Sequence, residues 1–124
     1  MYVEYSSHAY RENWSVALAA PAGTQVNIIT VVVPPKTKMR LLSFGNYLSV
    51  VGNWGLVQWD FLKDGIPLYP YTNILDQIGY AAQRSFVENL IIEGGHIFVI
   101  RGQQNTGVAC NIGISIEYEF VYEG

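Results

Sequence analysis

Between residues 110 and 122 the chain alternates without a break. Even positions carry Cys110, Ile112, Ile114, Ile116, Tyr118, Phe120 and Tyr122, while odd positions carry Asn111, Gly113, Ser115, Glu117, Glu119 and Val121. A helix would scatter the first set around its circumference. A strand puts all of it on one face, because side chains alternate sides with a period of two. A strand this long must lay its apolar face on a second layer, so the fold begins as a sheet that needs a partner sheet.

The rest of the sequence supplies strands for both layers. Residues 57–63 alternate Val57, Trp59 and Phe61 against Gln58 and Asp60, then meet Asp64-Gly65. Asp-Gly tolerates the positive φ of a primed hairpin turn, so the chain is expected to reverse there into Ile66-Pro67. Pro67 cannot donate to a ladder and limits that return strand to an edge. Residues 26–33 form a β-branched run closed by Pro34-Pro35, and 38–44 and 86–92 read as further strands. Residues 96–101 lie between Gly94-Gly95 and Gly102, and the polar loop 103–107 predicts a hairpin into the final strand. Asn73 and Gly79 could cap and end a short helical turn over 73–79.

Roughly seven or eight strands with no long helix and no internal repeat predict one all-β domain. The reading is an antiparallel β-sandwich of jelly-roll type spanning 14–124, preceded by an extended N-terminal arm over 1–13. A chain of 124 residues has material for one core and not two.

Charge separates this chain from an ordinary small domain. Only 14% of residues are charged, against roughly 25% in typical globular proteins. A surface wetted by amides, hydroxyls and tyrosines is easier to desolvate against a partner, which points to assembly. The net charge of −3 argues against nucleic acid as the main partner. Lys36, Lys38 and Arg40 form the only cation cluster, and their spacing of two reads as the solvated face of a strand. No apolar run approaches the roughly 20 residues that span a bilayer, so no membrane partner is expected. No signal peptide precedes the domain either, which points to synthesis in a cytoplasm.

Chemistry-bearing residues are sparse. His8 and His96 have no second metal ligand near them in sequence, and Cys110 sits on the apolar face of its strand with no activating base. Glu117 and Glu119 share a face at roughly 7 Å; such a pair could serve glycosidic chemistry, but it reads more simply as a charged strand face. Neither cofactor nor catalysis is expected. Trp54, Tyr69 and Tyr71 stand beside polar loops with Asn53 and Asn73. Aromatic rings flanked by amides suit stacking on a glycan, so a carbohydrate-binding module is the alternative reading.

Three stretches carry a resemblance: Leu41-Leu42-Ser43-Phe44-Gly45-Asn46-Tyr47, then Val57-Gln58-Trp59-Asp60-Phe61-Leu62-Lys63-Asp64-Gly65-Ile66-Pro67, then Glu93-Gly94-Gly95-His96-Ile97-Phe98-Val99-Ile100. With the long final strand, this order is similar to small jelly-roll proteins on tailed-bacteriophage virions, especially capsid decoration (cement) proteins. The resemblance covers about two-thirds of the chain and rests on structural motifs. It implies a virion protein made in the host cytoplasm that binds the lattice of the major capsid protein, commonly as a trimer, and ties capsomers together. On that reading the arm, with Tyr2, Tyr5, Tyr10 and Trp14 as anchors, contacts the lattice.

Overall fold

The computed structural model describes residues 6–48, 57–68, 74–75, 85–86 and 90–123. Ten strands run in chain order: β1 (Ser6–Ala20), β2 (Gln25–Val32), β3 (Thr37–Leu48), β4 (Val57–Lys63), β5 (Ile66–Pro67), β6 (Ile74–Leu75), β7 (Ser85–Phe86), β8 (Ile91–Glu93), β9 (Ile97–Gln104) and β10 (Cys110–Glu123). One sheet is ordered β1-β10-β3, with β7 and β8 sharing the far edge of β3. The other is ordered β2-β9-β4, with β5 and β6 sharing the far edge of β4. All pairings are antiparallel. Strands β1 to β4 alternate between the sheets, and β9 and β10 return between them, which is the jelly-roll winding.

The alternation of β10 does what the sequence requires. Ile112, Ile114 and Ile116 are buried against Met39, Leu41 and Ile92 of their own sheet and the inner face of the other. That second face brings Ile29, Val31, Val57, Trp59, Phe61, Phe98 and Ile100. Phe61 sits at the centre, edge-on to Phe44 at 5.2 Å and to Phe98 at 5.8 Å, the aromatic geometry that places a ring edge on a ring face. Gly102 is required beside Trp59, since a Cβ there would lie 2.9 Å from the indole ring.

The Asp64-Gly65 reversal is present as expected. Lys63 pairs with Ile66 and Leu62 with Pro67, and both turn residues have positive φ, 51° and 80°. Pro67 lies in an edge strand as expected, and Leu68 beyond it still donates its N–H to the Phe61 carbonyl at 2.9 Å.

Other expectations meet a different outcome. The loop after β9 does not make a hairpin, because β9 pairs with β2 and β4 while β10 pairs with β1 and β3. Residues 105–109 are an arch from one sheet to the other. Its anchor is Gln104, fully buried, whose Nε2 donates to the carbonyls of Ala20 and Val108 at 2.7 Å each. The Gln104 Oε1 accepts from the backbone N–H and the hydroxyl of Thr106.

The helical turn expected over 73–79 is not adopted by Ile74 and Leu75, which pair with Trp59 and Gln58 of β4. The open edge of β4 beyond the short β5 gives their backbone a ladder to join, and that outweighs local capping signals. The remaining residues of that stretch lie outside the described ones. The expected strand over 86–92 is represented by β7 and β8 at two separate places along β3.

Residues 6–13, read as part of an arm, enter the sheet. Their register runs from Ser6 opposite Glu123 to Asn13 opposite Ile116, so β1 crosses position 13 without interruption. The physical reason lies in β10, whose second edge would otherwise be left without a ladder over half its length. Residues 1–5 of the expected arm lie outside the described ones.

Candidate functional site

Strand β1 presents Tyr10, Glu12, Trp14 and Val16 on the outer side of the sandwich, opposite Glu119, Glu117, Ser115 and Gly113 of β10. The positions of β1 in register with the buried face of β10 are polar, with Arg11 exposed and Asn13 and Ser15 half-buried. The strand therefore inverts the usual arrangement: Trp14 is 66% exposed and Leu18 76%, while no large apolar side chain points inward from these positions. Large apolar side chains gathered on a solvent face mark contact surfaces more often than stray exposure does.

A bulge shapes the end of this face. The register slips between Ala17 and Ala20, Ala19 takes φ of 49°, and its N–H donates to the Asn111 Oδ1 at 2.8 Å. The bowed strand leaves a groove of about 510 Å³ lined by Trp14, Ser15, Val16, Leu18 and Asn111. Gly113 makes room for it: a Cβ there would sit 2.9 Å from the Ser15 carbonyl oxygen and 2.9 Å from Val16 Cγ2.

Toward the start of β1 the same face is polar. The Tyr10 hydroxyl bonds Glu12 Oε1 at 2.9 Å and Glu117 Oε2 at 2.5 Å. The Ser43 hydroxyl donates to the other Glu117 oxygen at 3.1 Å. The Glu117 carboxylate, helped by desolvation and by Glu12, pushes the Tyr10 phenol well above its ordinary range, because ionising it would set a third negative charge beside two carboxylates. Tyr10 is thereby held protonated as a donor. Glu119 lies 3.6 Å from the Arg40 guanidinium. The two glutamates singled out in the sequence thus take part in hydrogen bonds and an ion pair on the outer sheet face.

A second groove, about 350 Å³, opens at the hairpin end between Lys63, Asp64, Ile66, Leu68 and His96. Asp64 accepts from the Ile97 N–H at 2.8 Å and meets the His96 Nδ1 at 2.5 Å. Its own N–H donates to the Ile97 carbonyl at 2.9 Å. The Ile97 and His96 hydrogen bonds hold the Asp64 carboxyl below its usual range. The arrangement orients a histidine as a catalytic dyad would, and among the described lining residues none carries a hydroxyl or thiol for it to activate. It works as a latch between the β4–β5 hairpin and the start of β9.

Of the aromatic residues singled out in the sequence, Tyr10 and Trp14 share the β1 face. Tyr2, Tyr5, Trp54, Tyr69 and Tyr71 lie outside the described residues. Val16, Leu18 and Asn111 were missed, although the alternation Tyr10, Glu12, Trp14, Val16, Leu18 is visible in the sequence once β1 is allowed to begin before Trp14. Cys110 is buried, 3.8 Å from the Thr106 hydroxyl. Among the described residues no three His, Cys, Asp or Glu side chains come together as a metal site. No family model, curated protein or solved structure matches this chain.

Proposed function

We propose that this chain is a structural virion protein that binds the outside of an assembled phage capsid, with the outer face of β1 as its contact surface. The observation that carries the reading is the exposed row of Tyr10, Trp14 and Leu18 on the outer side of β1. The half of the face around the Trp14 indole, Val16 and Leu18 is apolar and suits another protein's surface, while Glu12, Glu117 and Glu119 border it at the other end. Aromatic anchors of this kind supply most of the energy of protein contacts, often about 2 kcal/mol or more each. The low charge density found across the chain supports the same reading. The test is co-sedimentation with capsids that lack the protein. Trp14→Ala and Leu18→Asp are expected to reduce retention by at least about tenfold while the circular dichroism of the sheet stays unchanged. Undiminished retention of both variants would overturn the proposal.

A carbohydrate-binding module is the second reading, favoured by the groove that sets the Trp14 ring beside the Asn111 amide. A glycan array bound by the native chain and lost in Trp14→Ala, with no capsid retention, would select it instead.

A further inference from the structure

The edges of this sandwich are treated unequally. Of the edge strands whose neighbours are described, β5 has two residues and β8 has three. β5 also carries Pro67, and β2 is broken by a bulge between Asn27 and Ile29. Short strands, proline and bulges are the devices by which sheets avoid pairing with other chains. β1 has none of them over most of its length. It runs for 15 residues, contains no proline or lysine, and is regular until the bulge after Ala17. Among the described residues, nothing pairs with its second edge. We infer that β1 pairs antiparallel with β1 of a second copy of this chain, across a two-fold axis perpendicular to the sheet.

The charges on β1 select the register. In a continuous sheet, residues directly opposite share a face, so the axis must pass through a residue rather than between two. Centring on Arg11 or Glu12 sets two like charges face to face, which destabilises a strand pair. Centring on Asn13, the midpoint of Ser6–Ala20, avoids both and keeps the regular strand paired from Ala9 opposite Ala17. Centring on Tyr10 would keep as many pairs but bring together two acidic clusters, since each Tyr10 hydroxyl bonds Glu12 and Glu117 of its own chain. Arg11 then faces Ser15, Glu12 faces Trp14, and the two Asn13 side chains meet on the axis. An amide both donates and accepts, so that central pair satisfies itself. Because the axis is perpendicular to the sheet, both Trp14 side chains fall on the same outer side and the exposed face is doubled. This pairing stands on the edge, independently of what covers the face, and it differs from the threefold assembly that the phage resemblance implies.

The test is size-exclusion chromatography with light scattering on the full chain over a range of concentrations, for the native protein, Asn13→Asp and Asn13→Lys. The native chain is expected at twice its 13.9 kDa mass. Each variant sets a like-charge pair on the axis and should weaken the dimer about fivefold. An equimolar mixture of the two variants, each shown folded by circular dichroism, should restore it as a heterodimer. A monomeric or trimeric native chain overturns the inference. So does a dimer that tolerates both charges, because its axis would lie elsewhere.

Discussion

Two polar reversals look alike in the sequence and do opposite things in the fold. Asp64-Gly65 turns β4 back along its own sheet, whereas residues 105–109 carry the chain from β9 across the sandwich to β10. The first is held by its own backbone: two residues of positive φ and a ladder that closes beside them. The second is held by one buried side chain, Gln104, which links the end of β1, the arch and Thr106. A turn inside a sheet can reverse the chain by local chemistry, and Asp64 then ties the finished turn to His96 and Ile97. A crossing between sheets leaves backbone groups inside the protein, and something must reach them.

The largest effect that can break this comparison is expected at Gln104. Gln104→Leu keeps the volume but strands the buried Ala20 carbonyl and takes the acceptor from the part-buried Thr106 N–H, while the Val108 carbonyl keeps its bond from the Thr106 hydroxyl. A loss of about 2 kcal/mol is expected in urea unfolding, from one buried and one part-buried backbone group left without a partner. A loss of the size seen for surface substitutions, about 0.5 kcal/mol, would mean that the arch is held by something else.

A middle-sized effect tests the other half. Gly65 and Gly107 have φ of 80° and 88°, and neither would give a new Cβ anything to strike within 4 Å. Gly65→Ala and Gly107→Ala should each cost about 1 kcal/mol, by backbone strain alone. Equal losses would show that the reversals differ only in the Gln104 contacts. A clearly larger loss at Gly65 would show that the hairpin depends on its turn more than the arch does.

The same contrast explains what could be read in advance. The hairpin was legible because Asp64, Gly65 and Pro67 act through their own φ angles and a missing N–H, all local properties. The arch was not, because Gln103 to Gly107 has the composition of any polar loop. What sends it across is that β10 must pair with β1 and β3, far away in sequence. β1 was half legible for a related reason. Its inward positions Arg11, Asn13 and Ser15 are polar at an edge where the core thins, so the usual apolar alternation is absent and residues 1–13 read as an extended arm. Tyr10 and Trp14 stood out as aromatic anchors. The groove beside them depends on the bulge at Ala19 and its bond to Asn111, a contact between residues far apart in sequence.

The smallest effect separates the two reversals by pH. Asp64 joins the hairpin to β9 by accepting from the Ile97 N–H and the His96 ring, and those bonds lower its pKa on folding. A carboxyl lowered in the folded state adds stability that is complete above its unfolded value, near about 3.9, and that is lost as pH falls through the folded value. Asp64→Asn removes this titration. Urea midpoints should therefore favour the native chain over Asp64→Asn near neutrality, and the gap should close as the solution is taken below the ordinary aspartate range. The arch is held by an amide and a hydroxyl, which do not titrate there. The deficit of Gln104→Leu should stay constant over the same interval. A Gln104→Leu deficit that follows the Asp64→Asn curve would show that the two ends of the sandwich unfold as one electrostatic unit, and the distinction between a locally held turn and a remotely anchored crossing would fall.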